Sequence, residues 1–175
     1  MSPGSASRMS APPAQRGAVR WAGRLALAVG FPLVALTLAE LALRAVGIGY
    51  PTSFLLAAEV RGRPMWVDNP FYGYRYFSPA MARNPAPIAV ARARPANLRR
   101  VVVLGESAAQ GDPLMEFGLA RVLHGLLNRN SSSNRFEVVN AAMTAINSPV
   151  IVDIARQVVR TRPDLAVLYI GTNEI

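Results

Sequence analysis

Between Arg24 and Arg44 the chain carries a single charged residue. Leu25 to Ala39 reads LALAVGFPLVALTLA, Glu40 follows, and Leu41 to Leu43 lead on to Arg44. The nineteen residues from Leu25 to Leu43 would span about 28 Å as a helix at ~1.5 Å each, close to a bilayer core of ~30 Å. The run predicts a transmembrane signal anchor over residues 21–45, behind a disordered basic tail at 1–20 rich in Ser, Ala, Pro and Gly. Arg8, Arg16, Arg20 and Arg24 precede the run and favour a cytoplasmic N-terminus. Trp21 and Tyr50 stand where interfacial aromatics are expected, and Pro32 is tolerable in a membrane helix. The alternatives are a cleaved signal peptide and a buried soluble helix. A signal peptide needs small residues at a cleavage site, and Glu40-Leu41-Ala42-Leu43-Arg44 makes a poor one.

The charge balance separates this segment from the rest. A net charge of +9 would by itself suggest a nucleic-acid partner. However, residues 1–99 hold 12 arginines against Glu40, Glu59 and Asp68, whereas residues 100–175 hold seven arginines and seven acids. The excess belongs to the tail, the membrane flank and the linker, so the expected partner is a membrane and not a nucleic acid. All 19 basic residues are arginine, which reads as base-composition bias. With no cysteine, disulfides and Cys-based zinc sites are excluded.

Residues 46–99 read as a connector with an aromatic cluster (Trp66, Phe71, Tyr72, Tyr74, Tyr76, Phe77) and then a Pro/Ala/Arg stretch from Pro79 to Arg99. The aromatics either pack this linker against the domain that follows or line a substrate-facing wall. From residue 100 the pattern changes. Val101 to Leu104 predicts a buried parallel strand. Leu119, Val122, Leu123, Leu126 and Leu127 recur at helical spacing, and the polar stretch Asn128 to Asn134 ends that helix. Phe136 to Val139 predicts a second strand. Ser148 as N-cap with Pro149 at the first helical position opens a second helix, whose apolar face is Ile151, Ile154, Ala155, Val158 and Val159. Leu165 to Ile170 predicts a third buried strand. The order βαβαβ makes the fold class α/β, a parallel sheet with right-handed crossovers, preceded by a single transmembrane helix.

In such a unit the carboxyl ends of the strands share one edge, where ligands bind. Three loops meet there: Gly105 to Gly111 (GESAAQG), Asn140 to Thr144 (NAAMT) and Gly171 to Glu174 (GTNE). Gly105 and Gly111 have the wrong spacing for a phosphate-binding loop and no lysine follows, and no G-x-G-x-x-G follows the first strand. No His/Asp/Glu cluster has metal-ligand spacing, and no cofactor is expected. A serine at a strand-to-helix turn suits nucleophilic attack beside backbone N–H groups, provided that a base takes its proton.

VVVLGESAAQG resembles the first block of the SGNH (GDSL-type) hydrolases, with Glu106 where the name-giving Asp stands. VVNAAMTAINS is similar to the second block, and GTNE to the third, usually Gly-x-Asn-Asp. The resemblance covers residues 98–175 and implies a flavodoxin-like sheet and a serine ester hydrolase. It implies Ser107 as nucleophile, with its own N–H, the N–H of Ala142 and the Asn173 side chain as oxyanion hole. Ala142 replaces the usual Gly, so its methyl would crowd the acyl group. Glu106, Glu174 and Asn140 read as structural hydrogen bonders of the loops. The wording of the blocks is most similar to a bacterial subgroup with a membrane anchor in front and tetratricopeptide repeats behind. That implies a place in the inner membrane, with the catalytic part outside the cytoplasm and a small-molecule or envelope ester as substrate.

The family's last block, Asp-x-x-His, has no counterpart here. His124, the only histidine, lies within the leucine-striped helix and reads as a surface or groove residue. The expectation is therefore an N-terminal fragment, inactive by itself, whose third strand exposes an apolar edge. The alternatives are an O-acyltransferase acting on a sugar or envelope acceptor, and a non-catalytic membrane scaffold.

Overall fold

The computed structural model describes residues 13–129, 131 and 135–174, with side chains from Trp21 onward. Most of the tail at 1–20 and parts of the polar stretch 128–134 lie outside the described residues. Two compact units divide the chain, Met1–Gly49 and Tyr50–Ile175.

Among its described residues the first unit contains one helix, α1 (Pro13–Ala45). Its segment Trp21–Ala45 has 25 residues and a mean hydropathy of 2.0, and at ~1.5 Å per residue it is about 37 Å long. It is long and apolar enough to cross a membrane. Thr37 Oγ1 donates to Leu33 O at 2.8 Å, so this hydroxyl is satisfied within the helix. Glu40 accepts from Arg44 one turn on, at 2.7 Å.

The second unit contains two three-stranded sheets. β4 (Leu98–Gly105), β5 (Arg135–Asn140) and β6 (Leu165–Tyr169) are parallel, with β4 in the centre. Val101 pairs with Val138 on one side and with Leu165 on the other. The β-branched run of β4 explains its central place: Val101 to Gly105 are all buried, as a strand with neighbours on both sides and cover on both faces must be. Successive residues point to opposite faces. Val103 packs with Ala109, Ala120 and Ala142, under α2 (Ser107–Gln110) and α3 (Leu119–Arg129). Val102 and Leu104 pack with Ile151, Ile154 and Val158 of α4 (Ser148–Val158).

The helix faces are narrower than their leucine and valine content predicts. Ala120 is buried and Leu119, Leu123 and Leu127 are half-buried, whereas Val122 and Leu126 are exposed. The buried methyl of Ala120 lets this side of α3 come close to the sheet. On α4 the apolar stripe stops at Val158, because Val159 begins a 3-10 turn and faces solvent. Ser148 is the first helical residue and not the cap: Asn147 occupies the cap position without a side-chain bond. The carboxylate of Glu174 instead accepts from the N–H and the hydroxyl of Ser148 (3.0 and 2.6 Å), an acid placed favourably at a helix start.

Two expectations need correction. The third strand exposes an apolar edge, as expected, but its faces are not buried as the run Leu165 to Ile170 predicts. β6 pairs only with β4, and Leu165, Leu168 and Tyr169 are 57%, 59% and 51% exposed. Nor are residues 46–99 a mere connector. β1 (Leu55–Val60), β2 (Arg63–Asp68) and β3 (Ala89–Ala91) form an antiparallel sheet. Arg61 and Gly62 join β1 to β2, both at positive φ (53° and 74°), as mirror-image hairpin turns require. Phe54, Leu55, Tyr72, Ile88 and Val90 then enter the same core as Leu104 and Ile154.

The aromatics do pack this segment against the parallel-sheet part. The Tyr72 hydroxyl donates to Asp153 Oδ2 of α4 at 2.8 Å, and Arg75 reaches the same oxygen at 2.7 Å. Burial pushes the Tyr72 hydroxyl far above its ordinary pKa, and the bonds to Tyr76 and Asp153 add to this. Burial would also raise Asp153, but the Tyr72 hydrogen bond and the Arg75 charge hold it below the usual carboxylate range.

Arg100 ties the layers together at the other end of β4. It is 1% exposed, and its Nε donates to Glu137 Oε2 at 2.6 Å. Its Nη1 donates to Thr161 O and its Nη2 to Ala91 O, so each nitrogen of the buried guanidinium meets an acceptor.

Candidate active site

Ser107 opens α2 directly after β4. The preceding turn is tight. A Cβ at Gly105 would run into the Tyr169 carbonyl and lie 2.6 Å from the Ala109 methyl, so only glycine lets β4 pass into α2 beside β6. Gly111 ends α2 in the left-handed region (φ 93°), where a Cβ would also lie 2.6 Å from Gly118 Cα. Ser107 is half-buried, and its hydroxyl has no hydrogen-bond partner among the described residues.

Three loops are tied to one another around this serine. The first and second join where Met143 N–H donates to Gly105 O (3.1 Å), and where Thr144 gives both its N–H and its hydroxyl to Gln110 Oε1 (2.7 and 2.6 Å). Asn140 Nδ2 donates to Gln110 O at 3.0 Å. Glu106 joins the first loop to the third: its carboxylate accepts from Gly171 N–H (3.1 Å), Thr172 N–H (3.0 Å) and the Thr172 hydroxyl. The third and second join through Asn173 Nδ2, which donates to Ile146 O at 3.1 Å, and through Glu174 at Ser148. No loop can shift without breaking bonds to both others.

Glu106 is 1% exposed. Burial alone would raise its pKa, but the Thr172 hydroxyl and the amides of Gly171, Thr172 and Asn173 outweigh that and hold it below the usual carboxylate range. A carboxylate so occupied is a fastener of the loops. The sequence gives Glu106, Glu174 and Asn140 this structural role, and each makes such bonds here.

The other named residues are placed as follows. Asn173 reaches the second loop with one amide hydrogen and has a second to offer. Ala142 is fully buried among Val103, Ala109 and Ala120, so its methyl lies in the core. Its N–H donates to Asn140 Oδ1 at 3.2 Å. Between Thr144 and Ser148 the amides of Ala145, Ile146 and Asn147 have no partner among the described residues, and Ala145 is an exposed residue held at φ 63°, uncommon outside glycine. Sequence reasoning passed over Ala145 because alanine carries no mark of a left-handed conformation. His124 is exposed on α3, where its Nδ1 lies 3.5 Å from Asn128 Nδ2. Among the described residues no cluster of His, Asp or Glu could hold a metal ion.

A small polar cleft of about 140 Å³ adjoins the site, lined by Arg83, Asn84, Gln110, Asp112 and Thr144 among others. No family model, curated protein or solved structure matches this chain.

Proposed function

We propose that this protein is a membrane-anchored serine ester hydrolase of the SGNH type that forms an acyl-enzyme at Ser107. The observation that carries the reading is the set of three cross-tied loops with the Ser107 hydroxyl left free at their meeting point. Attack by Ser107 Oγ on an ester carbonyl would build negative charge on the carbonyl oxygen. The candidate donors for that charge are the Ser107 N–H, the second amide hydrogen of Asn173 and a second-loop amide. The amide of Ala142 is bonded to Asn140, while those of Ala145, Ile146 and Asn147, just beyond Thr144, have no partner among the described residues. The parallel strand order, with the first strand central, agrees with a flavodoxin-like sheet.

The proton of Ser107 needs an acceptor, and no described residue bonds to its hydroxyl. In this reading Ser107 turns over only in a chain that supplies it with a histidine base. The arginines before the apolar segment of α1 support a second unit outside the cytoplasm.

The test follows from the requirement for a base. The 175-residue chain should not hydrolyse p-nitrophenyl acetate in a Ser107-dependent way. The chain extended through its downstream coding sequence should do so, and Ser107→Ala should abolish it. Asn173→Ala should lower kcat by ~10²–10³ with little change in KM, because this donor matters once charge has developed. If the extended, folded protein leaves Ser107 unreactive toward fluorophosphonates, the non-catalytic scaffold is the correct reading.

A further inference from the structure

Along the outer edge of β5 runs a cleft of about 640 Å³ that the serine chemistry does not use. Its long walls are residues 86–90 and 137–140. Successive residues of an extended chain point to opposite faces, so a cleft that touches unbroken runs touches strand edges and not strand faces.

The bonds already made fix which backbone groups look into it. On β5, Arg135 N–H donates to Asn97 O and Ala141 N–H to Val103 O. By the period of two, Val138 and Asn140 turn their N–H and C=O away from β4. Across the cleft, Ile88 O accepts from Asp68 N–H at 3.3 Å and Arg92 N–H donates to Pro64 O at 3.1 Å, both toward β2. Ala89 lies between them in the alternation and therefore turns outward. The backbone groups of Ala89, Val138 and Asn140 have no partner among the described residues.

The β5 edge is closed at one end. Asn128 gives Nδ2–H to Phe136 O (2.8 Å) and takes Phe136 N–H on Oδ1 (2.9 Å). Its carboxamide fills the place that one peptide group of a further strand would fill. Beyond it the edge stands open.

An open strand edge is a template for another chain, and proteins use such edges to capture extended peptides. The free charge names the kind of peptide. Arg121 of α3 lines the cleft beside His124, both exposed, and the Arg121 guanidinium has no carboxylate partner among the described residues. Glu137, the only acid in the lining, is held by Arg100. No Phe, Tyr or Trp lines the cleft, so the stacking platform that favours sugar rings is missing. We propose that this cleft accepts an extended acidic peptide segment of a partner protein, added as a strand between Ala89 and the Val138–Asn140 edge.

The test uses the full chain in detergent micelles and a fluorescein-labelled hexapeptide of alternating Glu and Val. Anisotropy should rise saturably, and amide hydrogen exchange should slow at Ala89, Val138 and Asn140. A copy N-methylated at alternate residues, and a Lys/Val copy, should each bind about ten-fold more weakly or worse, as the loss of one or two hydrogen bonds or of charge pairing implies. Ala89→Pro, which removes one outward N–H, should weaken binding. Arg121→Glu, on an exposed helix face, should do so as well and remains informative if Ala89→Pro fails to fold. The proposal is overturned by no binding, by binding indifferent to N-methylation, or by an oligosaccharide protecting the same amides. Self-association of the chain through this edge would overturn it too, assigning the cleft to a second copy.

Discussion

β5 and β6 flank the same central strand in the same parallel sense, yet one is built into the molecule and the other is left bare. β5 has Val139 buried in the core, Glu137 bonded to Arg100, and the Asn128 carboxamide over part of its outer edge. β6 is paired with β4 along its length, but its side-chain fastenings lie at its ends. Asp164, just before it, accepts from Arg100 N–H at 2.8 Å and from Arg94 at 2.7 Å, and the loop after it is fastened by Glu106 and Ser148. Between these ends Leu165, Leu168 and Tyr169 face solvent. Pairing in a sheet thus does not bury a strand. Burial comes from the helices and side chains laid over it, and α4, which connects the two strands, packs on Val102 and Leu104 of β4.

The largest effect should come from breaking what binds β4 to β5. Arg100→Ala removes a buried guanidinium and leaves Glu137 without its cation and the carbonyls of Ala91 and Thr161 without donors. Loss of one partner of a buried ion pair costs about 3–5 kcal/mol. The lower end is expected, because Glu137 is half-buried and can turn to water. Equilibrium urea unfolding followed by Trp66 fluorescence measures it. A loss below about 1 kcal/mol would mean that apolar packing alone joins the two strands.

A smaller effect should follow at the β6 end. Glu106→Gln removes the charge and leaves at least one of the Gly171 and Thr172 donors unpaired, worth about 1–3 kcal/mol. Its pH dependence sharpens the assignment. The folded pKa of Glu106 lies below the ordinary carboxylate value, so the ionised group favours the folded state. That contribution is fully present above the unfolded value of ~4.3 and is lost as pH falls through the folded one. Below about pH 4.3 the stability of the parent should therefore fall more steeply than that of the Glu106→Gln variant. Asp153 and Asp164, also held low, act equally in both proteins. Parallel acid limbs would show that Glu106 carries no such linkage.

The same contrast marks what the residues reveal in advance. β4 and the helices are legible because β-branched runs and i, i+4 spacings reflect local burial, and the three polar loops are legible because small and polar residues cluster at strand ends. The antiparallel sheet is not. Leu55–Val60 contains two alanines and a glutamate, Pro64 lies inside β2, and the turn is Arg-Gly instead of Asn-Gly, so neither propensity nor turn chemistry marks a hairpin. The exposure of β6 is legible only in part: its unpaired edge is expected, but LAVLYI has the composition of a strand covered on both faces. In the site, Ser107, Glu106 and Asn173 stand out by residue type. Which second-loop amides are taken depends on the side chains of Asn140 and Gln110, and residue type does not record it.

The smallest effect on stability should be found on β6 itself. Leu168 is the register partner of Leu104, but Leu104 is 3% exposed and Leu168 is 59% exposed. Replacing Leu168 by Arg removes little apolar area from the core, so the unfolding free energy should change by no more than about 0.5 kcal/mol, as at other surface positions. Its effect on association should be larger. An apolar strand with an unpaired edge is a template for edge-to-edge pairing, and an outward charge is how natural sheets block it. Residues 50–175 should therefore self-associate in sedimentation velocity as the parent sequence, and shift toward monomer as Leu168→Arg. If Leu168→Arg instead lowers stability by 2 kcal/mol or more, on the scale of core truncations of ~2–5 kcal/mol, β6 is covered in solution and the contrast with β5 fails.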